Sequence, residues 1–117
     1  MKNLNSVTGK YGEDLATELL ENKGYTILER NWRNKFGEID IIAKKDGILI
    51  FTEVKTKVGV AFGSPEEMAG PQKLYKVRHM ATIYMKGVEL PCRIDVVAIV
   101  LNEDNTVSRI THYENVQ

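Results

Sequence analysis

The sequence predicts an α/β fold, a mixed central sheet flanked by packed helices, in the order α-β-β-β-α-β-β. Two segments carry helical apolar spacing and each runs into a glycine, Gly24 and Gly87. Two β-prone runs are joined by Asp46-Gly47, the strongest short hairpin signal. A third run, residues 93–101, is strongly apolar and suits an interior strand.

The first helix is expected over about residues 8–23, with Gly24 as its C′ residue. Gly12, Leu15, Ala16, Leu19 and Leu20 form its apolar side, and Gly9, Glu13, Ala16 and Leu20 lie along one stripe. Glu13 thus stands at the edge of the buried face. It reads either as a partner in a site or as a half-exposed acid favoured by the helix N-terminus. Residues 25–32, 37–44 and 48–57 read as three strands, followed by a glycine-rich loop over 57–63. Ser64-Pro65-Glu66-Glu67 resembles a capping box with proline at the first helical position. Gly70-Pro71 interrupts that turn and restarts a second helix to about residue 86. Val77, Met80 and Tyr84 form its ridge. Lys73 lies in line with them in the first turn, where a cation opposes the helix dipole and an anion nearby would explain it. Residues 93–101 and 106–113 complete the sheet, the last strand at an edge.

The 117 residues suffice for one domain, 1–117, with one core. At 43% hydrophobic and 27% charged the composition is that of an ordinary soluble globular chain. No apolar run approaches the ~18 residues of a membrane span, and residues 1–5 lack the apolar core of a signal peptide. Cys92 is the single cysteine, so no internal disulfide or thiolate metal site can form; it is expected to be a buried small hydrophobe in a cytoplasmic protein. Zero net charge argues against coating nucleic acid by bulk electrostatics, but permits local patches. Arg30, Arg33 and Lys35 make one basic cluster; Lys73, Lys76, Arg78 and Lys86, with His79, make another.

The chemistry is carried by Gly37-Glu38-Ile39-Asp40 and Phe51-Thr52-Glu53-Val54-Lys55. Charged residues are depleted in such β-prone runs. A two-residue turn at Asp46-Gly47 sets Lys45 opposite Ile48, Asp40 opposite Glu53 and Glu38 opposite Lys55. Alternation then places Glu38, Asp40, Ile42, Phe51, Glu53 and Lys55 on one face. Either motif alone is equally compatible with a half-exposed hairpin edge. Together they favour a site, because opposed carboxylates repel and want a cation between them. Hard oxygen donors suit Mg²⁺ or Mn²⁺ rather than zinc. Lys55 beside them could steer a water or neutralise charge developing at phosphorus, and a divalent ion would polarise a phosphoryl oxygen. Phosphodiester hydrolysis fits best. No nucleophile elbow and no phosphate-binding loop is present.

Asp40 with Glu53-Val54-Lys55 resembles the PD-(D/E)XK nuclease superfamily. The longer string Gly9-x-x-Gly12-Glu13-x-x-Ala16, Asn31-Trp32-Arg33, Gly37-Glu38-Ile39-Asp40, Phe51-x-Glu53-Val54-Lys55, Phe62-Gly63 and Arg93-Ile94-Asp95-Val96 is similar to the YraN family of small bacterial proteins. The resemblance covers nearly the whole chain. It implies a restriction-endonuclease-like core related to Holliday-junction resolvases. It also implies a site of Glu13, Asp40, Glu53 and Lys55, with Asp40, Glu53, Glu13 and the Val54 carbonyl as metal ligands. Glu38 would stand behind these ligands, and Lys73, Arg33 and Lys76 would contact nucleic acid. The superfamily's proline is replaced by Ile39. The expectation is a Mg²⁺- or Mn²⁺-dependent endonuclease acting on DNA, on branched or flapped structures. The alternative is a non-catalytic nucleic-acid- or partner-binding module on a nuclease scaffold. Resolvase-like enzymes often act as homodimers, but no self-association stripe stands out here. Trp32 is expected either in the core or stacked on a base, and Asp95 in a structural role.

Overall fold

The computed structural model describes the backbone of residues 2–59 and 65–116, and side chains within 8–59 and 70–116. The elements are α1 (Lys2–Asn22), β1 (Thr26–Asn34), β2 (Gly37–Lys45), β3 (Ile48–Val58), α2 (Pro65–Tyr84), β4 (Cys92–Leu101) and β5 (Val107–Tyr113). The five strands form one sheet in sequence order. Its β1–β2, β2–β3 and β4–β5 pairs are antiparallel and its β3–β4 pair is parallel. The mixed α/β architecture and the element order are those expected. The capping box at Ser64 and the Phe62-Gly63 motif lie outside the described residues.

Local sequence explains the joints. Gly24 sits at φ 92°, which lets the Tyr25 N–H return to the Leu20 carbonyl at 3.0 Å and close α1. Asp46 and Gly47 both take positive φ, 53° and 78°, the signature of a type I′ hairpin turn. Inside α2, Gly70 is non-helical at φ 71° and Pro71 restarts the helix, so Lys73 falls in a first turn.

The helices cover opposite faces of the sheet. Leu74, Val77, Met80 and Ala81 of α2 pack on Ile39, Ile42, Phe51, Ile94 and Val96. Ala16 and Leu20 of α1 pack on Ile41, Ala43, Ile50, Val97 and Ile99. Burial of both faces accounts for the unbroken apolar run of β4, which is interior and pairs with β3 and β5. Trp32 is half-buried, its ring edge-on to Tyr84 at 5.2 Å, and belongs to the packing on the α2 face. Cys92 is exposed, contrary to expectation. It is the first residue of β4 and opens into a pocket that it lines with Arg78, Ala81 and Thr82 of α2, and burial begins only at Ile94.

Asp95 is fully buried and structural. Its carboxylate accepts from Arg93 Nε at 3.0 Å and from the Asn115 N–H at 2.9 Å, and it pairs with His112 Nε2 at 2.7 Å. Arg93 also donates to the Tyr25 hydroxyl at 2.7 Å. Burial pushes the Asp95 pKa up, but the bonds from His112, Arg93 and Asn115 outweigh it and hold the group below the usual carboxylate range.

Candidate active site

The site forms where the sheet departs from regular pairing. The β2–β3 ladder follows the expected register from Lys45↔Ile48 to Ile41↔Thr52 and then stops. Asp40 does not continue the ladder opposite Glu53. Instead its Oδ2 accepts the Val54 N–H at 2.8 Å. Alternation slips at the same point, because Ile39 and Ile42 pack toward α2 while Ile41 and Ala43 pack toward α1. The expected common face of Glu38, Asp40 and Ile42 is therefore corrected: Glu38 and Asp40 gather with Glu13 of α1, and Ile42 lies under α2. A physical cause sits on the neighbouring strand. Asn31, between the rungs Arg30↔Ile41 and Trp32↔Ile39, has φ 53°, a left-handed conformation inside a strand.

One carboxylate oxygen from each of Glu13, Glu38 and Asp40 lies within 4.8 Å of the others. Glu13 and Asp40 line a cavity of about 280 Å³ together with Thr8, Gly9, Val54, Lys55 and Thr56. Gly12 lets α1 approach β3 closely, since a Cβ there would overlap the Thr56 hydroxyl. This contact seats Glu13, one residue on, beside Asp40. Arg30 spans the gap from β1, 2.7 Å from Asp14 and 3.9 Å from Glu13.

Glu53 is 2% exposed and faces Lys73, whose Nζ is 3.1 Å away. The anion that the odd position of Lys73 called for is thus Glu53. Glu53 is not among the three grouped carboxylates, but it feels Asp40 strongly. Burial first, and the Asp40 charge second, push its pKa up to about 7, against the pull of Lys73. Burial also raises Asp40, with Glu38 adding to the shift while the Val54 N–H, Lys73 and Lys55 oppose it. Burial raises Glu13 as well, and the Asn31 side chain beside it works the other way. Burial would lower Lys73, but the Glu53 carboxylate overcomes this and the lysine ends raised.

Of the remaining residues singled out by sequence, Lys55 and Val54 line the cavity. Arg33 is mostly exposed and reaches Glu38 at 3.6 Å. Lys76 is exposed on α2 and does not line the cavity. Asn31, Arg30 and the Gly12–Thr56 contact are contributions that sequence reasoning left undecided or did not see. The available signal was an asparagine inside a strand, the residue that best tolerates the left-handed region after glycine.

The donor set fits a hard divalent cation. The grouped ligands are all carboxylate oxygens; burial first, and the neighbouring carboxylates after it, raise Glu13 and Asp40, and a cation would relieve that repulsion. Together with two lysines bordering the same acids, the arrangement can bind such an ion and an anionic oxygen side by side.

Comparison with known proteins is consistent across the chain. A family model described as "Uncharacterised protein family UPF0102" matches residues 12–99. A UPF0102 protein of Dictyoglomus turgidum is 42% identical over 106 residues, covering 88% of this chain and 90% of that protein. One from Persephonella marina is 44% identical over 101 residues, covering 82% and 85%. One from Syntrophomonas wolfei is 38% identical over 115 residues, covering 96% and 98%. The match begins at Gly12 and takes in Glu13, Asp40, Glu53 and Lys55, so the chain belongs to the UPF0102 family.

Proposed function

We propose that this protein is a metal-dependent endonuclease that hydrolyses phosphodiester bonds in DNA, with branched or flapped structures as its substrates. The observation that carries the reading is the break in the β2–β3 ladder. It turns Asp40 onto the Val54 N–H, beside Glu13 and Glu38, at a cavity that Lys55 also lines. A regular hairpin would have no reason to concentrate acids there.

Glu13, Asp40 and the Val54 carbonyl would hold Mg²⁺ or Mn²⁺, joined by Glu53 or Glu38. Bound there, the ion would polarise a phosphoryl oxygen and lower the pKa of a coordinated water. Lys55 orients the attacking water and offsets charge at phosphorus. Lys73 holds Glu53 in place and presents a second cation to the phosphate. Water bonds to phosphorus and gives up one proton to solvent, one bridging P–O bond breaks, and the leaving oxygen takes a proton from solvent.

Purified protein with Mn²⁺ should nick branched DNA, and Asp40→Asn and Glu53→Gln should each abolish nicking. Lys55→Met should lower the rate by about 10²-fold or more. Equal nicking by wild type and Asp40→Asn would remove the hydrolytic reading.

One observation favours a second reading, a non-catalytic binding module. The Lys73 ammonium already occupies Glu53, at 3.1 Å. Titration calorimetry separates the two: no Mn²⁺ binding by the wild type, with DNA binding indifferent to metal, would select the module.

A further inference from the structure

We infer that the surface next to the acid cavity, built from Phe36, Tyr75 and His79 with Lys35 and Lys76, is a stacking platform for an unpaired nucleic-acid strand. The inference rests on the phosphodiester reading of the cavity and names the form of substrate it takes.

Phe36 ends the turn between β1 and β2 and is 56% exposed; Tyr75 on α2 is 70% exposed. Rings so open contribute little to the core, yet they are not scattered. Phe36 meets His79 edge-on at 5.6 Å. Tyr75 precedes His79 by four residues, which places both on one side of α2. Lys35 reaches over the Phe36 ring at 5.3 Å. The platform also abuts the site. Phe36 lies two residues before Glu38, and Gly37 between them packs against Met80 of α2. Lys73, which pairs with Glu53, shares a helical turn with Tyr75 and Lys76.

Charge selects the occupant. Residues 30–37 and 70–88 hold seven of the sixteen lysines and arginines and none of the sixteen acids. Arg30, Arg33 and Lys73 pair with Asp14, Glu38 and Glu53, and the other four cations give this side of a chain of zero net charge a local excess that suits a polyanion. Among the described residues, the ion pairs of α2 are limited to Lys73 with Glu53. Exposed aromatic rings interleaved with cations suit bases whose faces are open, hence a single strand; a duplex hides those faces in its stack.

The test is fluorescence anisotropy with the full chain and a labelled oligothymidine of about 15 nucleotides, against a hairpin duplex, both in EDTA so that no cleavage occurs. Phe36→Leu and Tyr75→Ala should each weaken oligothymidine binding about tenfold and the duplex by less than about twofold. Phe36→Trp should retain it. Lys76→Ala should reduce the slope of log affinity against log salt by about 0.7. Both ring positions are exposed, so melting temperatures should match the wild type. Unchanged oligothymidine affinity in Phe36→Leu and Tyr75→Ala would overturn the platform. So would a concentration-dependent dimer, seen in sedimentation and lost in Phe36→Leu, which would mark the patch as a contact between copies. Nicking by Asp40→Asn is scored separately, so failure of the hydrolytic reading is distinguishable from failure of the platform.

Discussion

Glu53 shows how much a single residue depends on its surroundings. Its pKa rises from the ordinary 4.5 to about 7 because burial and the Asp40 charge disfavour the anion. An acid raised on folding contributes stability that is fully present below its unfolded value and is lost as pH rises through the folded value. The window runs from about pH 4.5 to about 7, and the shift corresponds to on the order of 3 kcal/mol. Asp40 and Glu13, raised for the same reasons, add in the same direction. Metal-free protein should therefore lose stability between those pH values in chemical denaturation, and Glu53→Gln should flatten that part of the profile. Added Mn²⁺ should restore stability at pH 8 in the wild type and fail to do so in Asp40→Asn. A residue-level choice also hangs on this cation: Glu38 lies with Glu13 and Asp40, whereas Glu53 is held by Lys73. If Glu38→Gln weakens Mn²⁺ binding in calorimetry as much as Glu53→Gln does, Glu38 is a direct ligand and not merely a neighbour.

Elements, more than residues, decided what could be read in advance. The hairpin register followed from two residues, Asp46 and Gly47, because a type I′ turn leaves one pairing open to the strands it joins. Glu13 was placed by the helical stripe that it shares with Ala16 and Leu20, both buried against the sheet. The slip at Asp40 was not legible: it depends on the left-handed Asn31 of β1 and on α1 packing from the other side, neither of them local to β2. Cys92 was misplaced because composition does not show where the packing between a strand and its helix opens into a pocket. The Gly12–Thr56 contact is likewise an event between elements, and it can be tested as one. Gly12→Ala improves helix propensity by up to about 1 kcal/mol. The added carbon overlaps the Thr56 side chain, which is stiff, so α1 must shift. Overpacking of this kind costs about 1–3 kcal/mol, and the variant should be destabilised and bind Mn²⁺ more weakly, because Glu13 moves with the helix. Thr56→Ala in the same chain should recover much of both losses, a positive coupling in a double-mutant cycle on thermal stability and metal affinity.

At the scale of the whole molecule, two buried acids with opposite shifts set the response to pH. Asp95 ties together parts of the chain that are far apart in sequence, through Arg93 to Tyr25 after α1, through His112 to β5, and through the Asn115 N–H to the C-terminal segment. Lys23, at the end of α1, extends the chain of bonds to His112 Nδ1 at 2.8 Å. The spacing of these partners, 68 residues between Tyr25 and Arg93 and 89 between Lys23 and His112, is why no sequence pattern revealed the network. Because its pKa is lowered, Asp95 contributes stability that is present above its unfolded value of 3.8 and is lost as pH falls through the folded one. The site acids work in the opposite sense, since their contribution disappears as pH rises toward 7. Stability of the metal-free protein should then peak between these two losses, displaced toward acid from the usual maximum at about pH 5–8. Asp95→Asn removes the acid-side limb and leaves Arg93 and His112 facing a neutral amide in a buried setting. It should cost about 3 kcal/mol at neutral pH while leaving the alkaline limb in place. Denaturation profiles of wild type, Asp95→Asn and Glu53→Gln across pH 3–9 assign each limb to its carboxylate; a single mutation that removed both limbs would mean that the two carboxylates, on opposite faces of the paired strands β3 and β4, do not titrate independently.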